Sequence, residues 1–182
     1  MEAPESLTIQ TRELYEAIGE SVVVFQQIEQ WLAEILAVVL RMRHADDQYL
    51  VSAAMSFSQK VDLLCEVYPK RKSKSLPDRD MVLIRASLYK AEQYRNRVVH
   101  SFWGVECADQ SRWVRIKGSL RGKSGFSKQS VSADLQALKS CNGALRIIRE
   151  WIVRGQDDLH GAMDTLTQYM QPSALGSHRD DS

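Results

Sequence analysis

The chain has no C-x-x-C pair, no excess of charge of either sign, no internal repeat and no low-complexity tract. Its three cysteines, Cys65, Cys107 and Cys141, are dispersed and odd in number. That argues against a disulfide framework and fits reduced thiols in a cytoplasm, with Cys65 and Cys141 as small core residues. A formal net charge of +1 means that any affinity for nucleic acid has to come from local patches rather than bulk charge. The longest apolar stretches are interrupted by Gln, Glu and Arg, so no membrane span is expected. The opening Met1-Glu2-Ala3-Pro4-Glu5 is acidic and lacks the basic-then-apolar order of a signal peptide. The expected location is cytoplasmic, with no membrane partner.

What is present is an ordinary globular composition. Apolar residues make up 44% and charged residues 26% of 182 positions, enough for one domain with a real core and too few for two. The first periodic segment runs from about Thr8 to Arg43. Ile18, Phe25, Leu32 and Val39 recur every seven residues, with Ser21, Ile28, Ile35 and Met42 between them, which marks a seam along one helix face. Ile18, Phe25, Ile28, Leu32 and Ile35 exceed what one small bundle plainly requires, and a two-fold dimer would use the surplus. Asp46-Asp47 caps a second helix to about Tyr68, where Pro69 ends it before the basic Lys70-Arg71-Lys72-Ser73-Lys74 loop.

Pro77-Asp78 opens a third helix to about His100, with Val82, Ile84, Leu88, Ala91, Val98 and Val99 as apolar positions. A fourth begins after Ser132, a suitable N-cap. Leu138, Cys141, Leu145, Ile148 and Ile152 line its face, and Gly155 stops it. Asp157-Asp158 starts a last helix carrying Leu159, Met163, Leu166 and Met170. Between the third and fourth helices, Trp113-Val114-Arg115-Ile116-Lys117 alternates as a strand does, with Phe102-Trp103-Gly104-Val105 as its antiparallel partner. Periodicity is lost after Gln171.

One run reads as chemistry: Arg95-Asn96-Arg97-Val98-Val99-His100, near the end of the third helix. Arginine forks onto phosphate oxygens and histidine moves protons near neutrality, a combination suited to a phosphodiester. Asn96 and His100 are four apart and share a face, whereas Arg95 lies about 140° round from His100 on an ideal helix. One copy therefore does not converge on one phosphate, but two copies across a two-fold axis can. In the alternative, Arg95 pairs with an acid such as Glu29 and His100 serves as a cation at the helix C-terminus. Glu29 sits beside the first-helix seam, a solvated rim residue by burial statistics and a partly buried orienting acid by family likeness.

The R-N-x-x-x-H pattern at a helix end resembles the HEPN family (higher eukaryotes and prokaryotes nucleotide-binding domains). Phe25-Gln26-Gln27-Ile28-Glu29-Gln30-Trp31-Leu32 resembles that family's first long helix, Ser56 to Leu64 its second, and Arg95 to Trp103 its third. The likeness extends from about Thr8 to Met170. It implies an all-α antiparallel bundle of about five helices and an endoribonuclease of the toxin or phage-defence type. It further implies a homodimer with Arg95, Asn96 and His100 as catalytic residues in a shared cleft. The 2′-hydroxyl of the RNA attacks, His100 moves the proton, Arg95 stabilises phosphoryl charge, Asn96 orients, and neither a metal nor another cofactor is required. An antitoxin or a nucleotidyltransferase would be the natural restraining partner. Some members carry, two residues after the histidine, a tyrosine that a partner modifies. Phe102 stands there, so that form of regulation is not expected.

Three further patterns were weighed. Gly122-Lys123-Ser124 looks like the end of a phosphate-binding loop, but Lys117 occupies the position that requires the first glycine. His44 beside Asp46 and Asp47, and the isolated His160 and His178, have no metal-ligand spacing. No acid occurs from Gln110 to Ala133, while Arg112, Arg115, Lys117, Arg121, Lys123 and Lys128 are basic, with Trp113 and Phe126 interleaved. This stretch is either a solvated hairpin or, together with Arg97, a surface that follows an RNA backbone and stacks its bases. The expected organisation is a helical domain over 1–171 with a β-hairpin insert at 102–130, followed by a disordered tail at 172–182. The expected activity is metal-independent RNA cleavage. The alternative is a non-catalytic helical module that binds a nucleotide or a partner protein.

Overall fold

Helix α1 (Glu5–Val39) is 35 residues long and forms the spine on which the other helices pack. A computed structural model describes residues 5–44, 46–71, 80–105, 113–121, 125–154 and 159–171. The remaining elements are α2 (Asp47–Ala54), α3 (Phe57–Arg71), α4 (Met81–Val99), β1 (Phe102–Val105), β2 (Trp113–Arg121), β3 (Gly125–Ser132), α5 (Leu135–Arg154) and α6 (Leu159–Met170). The architecture is mostly helical with a small antiparallel sheet. Several expectations fall outside the described residues: the tail at 172–182, Gly155, Asp157-Asp158, Pro77-Asp78, Lys72 to Lys74, Cys107, Arg112 and the 122–124 turn.

Helix α1 touches α5, α3, α4 and α2, and this determines what happens to the heptad seam. Phe25, Ile28, Leu32, Leu36 and Val39 are buried, while Ile18 and Ile35 are partly buried against the same core. Surrounded by neighbours, α1 uses both apolar series inside one protomer, so the surplus inferred from the sequence does not exist. By length and hydropathy its Gln10–Val39 stretch is apolar enough to cross a membrane, so the interruptions by Gln and Glu do not exclude that by themselves. Phe25, Ile28, Leu32, Leu36 and Val39 of that stretch form the core here, while Tyr15, Val23, Trp31 and Val38 are exposed.

The segment expected as one helix from Asp46 to Tyr68 is two. Ser56 and Gln59 form a reciprocal capping box: the Ser56 amide donates to Gln59 Oε1 at 2.8 Å and the Gln59 amide to Ser56 Oγ at 3.3 Å. Such a box starts a helix, so α3 begins afresh at Phe57. Pro69 does not end α3, which runs on to Arg71. So near the end of a helix the ring removes one hydrogen bond from a turn that already frays. At the end of α1, Arg41 adopts φ 56° and the Met42 amide donates to the Ala37 carbonyl at 2.9 Å. This is a Schellman closure made without glycine. Asp80 caps α4 by accepting from the Val82 and Leu83 amides, and Asp134, not Ser132, accepts from Ala137 at 2.9 Å to start α5. Val82 and Val99, expected at apolar positions, are exposed.

The predicted strand pair is present, with Trp103 opposite Arg115 and Val105 opposite Trp113. The insert is larger than a hairpin, because β3 adds a third strand with Val114 opposite Ser132 and Arg121 opposite Gly125. The described residues on either side of 122–124 are antiparallel strands, whereas a phosphate-binding loop would be followed by a helix.

A buried polar knot ties three helices. Tyr94 (α4), Ser21 (α1) and Asn142 (α5) are each fully inaccessible. Asn142 Oδ1 accepts from Ser21 Oγ at 2.6 Å and from Tyr94 Oη at 3.2 Å. Its Nδ2 donates to the Ala17 carbonyl at 2.8 Å and to Glu20 Oε2 at 3.1 Å, so both donors and the acceptor of the amide are used. Burial raises the Tyr94 phenol far above its ordinary value, so it stays protonated and donates. Asn142→Ala should cost about 3 kcal/mol, since all four bonds and the side-chain volume go together. Tyr94→Phe should cost about 1 kcal/mol because Ser21 and Asn142 keep each other. Urea unfolding with an unchanged m-value measures both, and equal small losses would show that the knot is dispensable.

Candidate functional site

Because Tyr94 points into the core, the next residues of α4 turn by about 100° each away from it. Arg95 comes out on the flank towards α1 and is half-buried, Asn96 follows, and His100 ends up exposed. The Arg95 guanidinium carbon lies 4.6 Å from the centroid of the Phe25 ring. Phe25 rests in turn on Phe57, with centroids 4.7 Å apart, so the arginine sits on a rigid aromatic ledge. Arg95 Nη1 donates to Asn96 Oδ1 at 2.9 Å. That bond occupies the amide's acceptor and leaves its Nδ2 hydrogens to donate elsewhere. Arg95 and Asn96 consequently present N–H donors side by side, an arrangement suited to an anion.

Glu29 does not pair with Arg95. Its Oε1 accepts from Lys60 Nζ at 2.8 Å, and the Lys60 side chain is 1% exposed against 30% for Glu29. The solvated-rim reading of Glu29 is thereby corrected, as is the alternative in which Glu29 neutralises Arg95. The acid is held by a buried ammonium, whose desolvation requires a counter-charge. Among the described residues no carboxylate lies within ion-pair distance of Arg95. Sequence reasoning missed Lys60, although it stands within the apolar spacing Phe57, Val61, Leu64 and Tyr68 of α3. A lysine on such a stripe signals a buried partner.

Glu92 was missed as well. It precedes Arg95 by three residues and Asn96 by four, and is half-buried. Burial raises its carboxyl above the ordinary value; the Arg95 charge opposes this and the Glu29 charge adds to it. Glu92, Asn96 and His100 thus form an i, i+4, i+8 row beside Arg95.

His100 is the C-cap residue of α4, and its amide donates to the Asn96 carbonyl. Ser101 Oγ donates to the Arg97 carbonyl at 2.6 Å and Trp103 Nε1 to the Val98 carbonyl at 3.0 Å. With the helix end closed by other groups, the exposed imidazole has no hydrogen-bond partner among the described residues. Val99 is 43% and Phe102 67% exposed beside it. Gly104 leaves room for the Phe102 ring, since a Cβ at 104 would come within 3.0 Å of Phe102 Cε1.

Among the described residues, neither Arg97 nor the insert's Arg115 and Trp113 come to this ledge. Arg97 leaves α4 on another side and its Nη1 donates to the Tyr169 carbonyl at 3.4 Å. The Arg115 guanidinium lies 5.7 Å from the Tyr169 ring centroid. Both arginines are half-buried and face α6 rather than open solvent. Trp113 packs edge-on against Tyr15, with centroids 6.1 Å apart, and is therefore no free stacking platform. The side chains of Lys117, Arg121, Phe126 and Lys128 and the whole of Arg112 and Lys123 are outside the described residues.

Glu92→Gln provides a test of the ledge electrostatics. A carboxyl whose pKa is higher in the folded chain holds its proton more tightly there, so its contribution to stability is lost as pH rises from below the free carboxylate value through the raised one. The substitution should raise the thermal midpoint at pH 7 more than at pH 4. Equal changes at both values would show that Glu92 is not in a desolvated setting.

No protein-family model matches the chain, and neither does any curated protein or any solved structure.

Proposed function

We propose that the chain is a metal-independent, HEPN-type endoribonuclease acting as a homodimer. The observation that carries this reading is the Arg95 guanidinium, half-buried on Phe25 and tied to Asn96, with no carboxylate at ion-pair distance among the described residues. A structural arginine in such a place would normally be neutralised; this one is kept for an anion, while Lys60 absorbs the nearby Glu29.

A phosphodiester fits the donor set. Arg95 and the Asn96 amide would bind the non-bridging oxygens and stabilise the charge that grows there. The RNA 2′-oxygen attacks phosphorus, the P–O bond to the 5′-oxygen breaks, and a 2′,3′-cyclic phosphate and a 5′-hydroxyl result. One proton leaves the 2′-oxygen and one reaches the 5′-oxygen, so one imidazole has to be neutral and another charged. A single chain offers one His100, and the two-fold assembly supplies the second. The exposed Val99 and Phe102 beside the motif are what a second copy would cover. Basic residues of the insert, Arg112, Lys117, Arg121, Lys123 and Lys128, would add affinity through counterion release.

Arg95→Ala and His100→Ala should each reduce cleavage by about a thousandfold or more, while the far-ultraviolet circular dichroism is unchanged. Products should carry 2′,3′-cyclic phosphate ends, and cleavage should persist in excess chelator. Products with 5′-phosphates would indicate activated water and refute the scheme. RNA binding without cleavage at any pH would favour the non-catalytic module instead. Phe102→Glu should convert a dimer seen by light scattering into a monomer and reduce cleavage at least tenfold. A native monomer with full activity would remove the shared site.

A further inference from the structure

On the side of α4 away from Phe25, two cations meet with no carboxylate at ion-pair distance among the described residues. Arg97 reaches from α4 and Arg115 from β2, and both engage Tyr169 near the end of α6, one through its carbonyl at 3.4 Å and the other over its ring at 5.7 Å. Arg115 Nη1 is buried with no hydrogen-bond partner, and so is Trp113 Nε1, two residues away on the same face of β2. A buried donor without an acceptor costs about 1–3 kcal/mol and calls for an explanation.

The charges do not balance either. Burial, and next the charge of Arg115, holds the Arg97 guanidinium below its ordinary pKa. The C-terminal end of α6 offers the equivalent of about half a negative charge, against two full positive ones. Asp134 is close enough to raise the Tyr169 phenol, but it caps α5 through Ala137 and lies beyond ion-pair distance of both arginines.

We propose that Arg97, Arg115 and Tyr169 form a second anion site, distinct from the Arg95 ledge, that takes a phosphate group. Two planar guanidinium forks match the several oxygens of a phosphate better than the two of a carboxylate. The aromatic wall of Tyr169 lowers the local dielectric and strengthens the pairing. The site stands whether or not the chain cleaves RNA. A phosphate monoester and a strand's diester share the chemistry it selects.

Thermal unfolding of the full chain in inorganic phosphate, against chloride at matched ionic strength, tests it. Phosphate at about ten times its Kd should raise the midpoint by about 3 °C. In an Arg95→Ala background, which removes the ledge as a competing anion site, a rise should remain, disappear on adding Arg115→Gln or Arg97→Gln, and shrink on adding Arg115→Lys, which keeps charge without the fork. Without phosphate, the glutamine variants should melt no lower than the parent, because a like-charge pair has been relieved. No rise in the Arg95→Ala background overturns the proposal, as does a rise there that survives both glutamine variants. Should one glutamine variant fail to fold, the other and Arg115→Lys still decide. Uridine 5′-monophosphate and the dinucleotide UpU then separate the sources: protection by the monophosphate alone assigns a terminal phosphate, and protection by UpU a strand. Cleavage by Arg95→Ala and His100→Ala bears on the ribonuclease reading alone.

Discussion

The hydrogen bonds among Ser21, Tyr94 and Asn142 set the geometry on which the rest depends. Apolar packing alone lets a helix rotate by small amounts at little cost, whereas a buried amide with every donor and acceptor used tolerates one arrangement. Tyr94 is locked between α1 and α5, so the next residue is committed to a particular side of α4. Arg95 owes its place on Phe25 to that neighbour, and Asn96 and His100 follow by helical geometry. Stability and the candidate chemistry are thus linked through one side chain.

A second constraint is electrostatic. Four ionisable groups, Glu29, Lys60, Glu92 and Arg95, crowd the junction of α1, α3 and α4. Lys60, whose ammonium is nearly out of water, closes on Glu29 to 2.8 Å. This leaves Arg95 supported by a ring and an amide, partners that hold a guanidinium in place without cancelling its charge. Glu92 beside it is disfavoured as a carboxylate by burial and by Glu29. The ledge therefore holds a guanidinium beside a carboxyl whose ionised form is disfavoured, with no ion pair between the two among the described residues.

The insert divides the basic residues into two groups with different environments. Arg97 and Arg115 turn towards α6 and lie half-buried at the β-α junction, Arg115 opposite Trp103 in the strand register. Their charge is concentrated in one half-buried place and is not spread along a surface. Burial also defines the cysteines: the Cys141 thiol is pushed up to about 12 by burial, so it remains a neutral core group.

Much was legible in the chain itself. The helical periods of α1, α5 and α6 and the strand alternation after Trp113 are local patterns, and those elements are present; the Arg95–His100 run was equally visible as a pattern. The capping box at Ser56 was equally local and shows why one apolar stretch became two helices. What only the tertiary structure decided depends on partners far apart in sequence. Lys60 meets Glu29 across 31 residues, Asn142 meets Ser21 across 121, and Arg97 meets Tyr169 across 72. Periodicity states which face of a helix is buried but not what it is buried against. The surroundings of each charge, an ammonium for Glu29 and a ring and an amide for Arg95, are decided by those distant neighbours and the water they exclude.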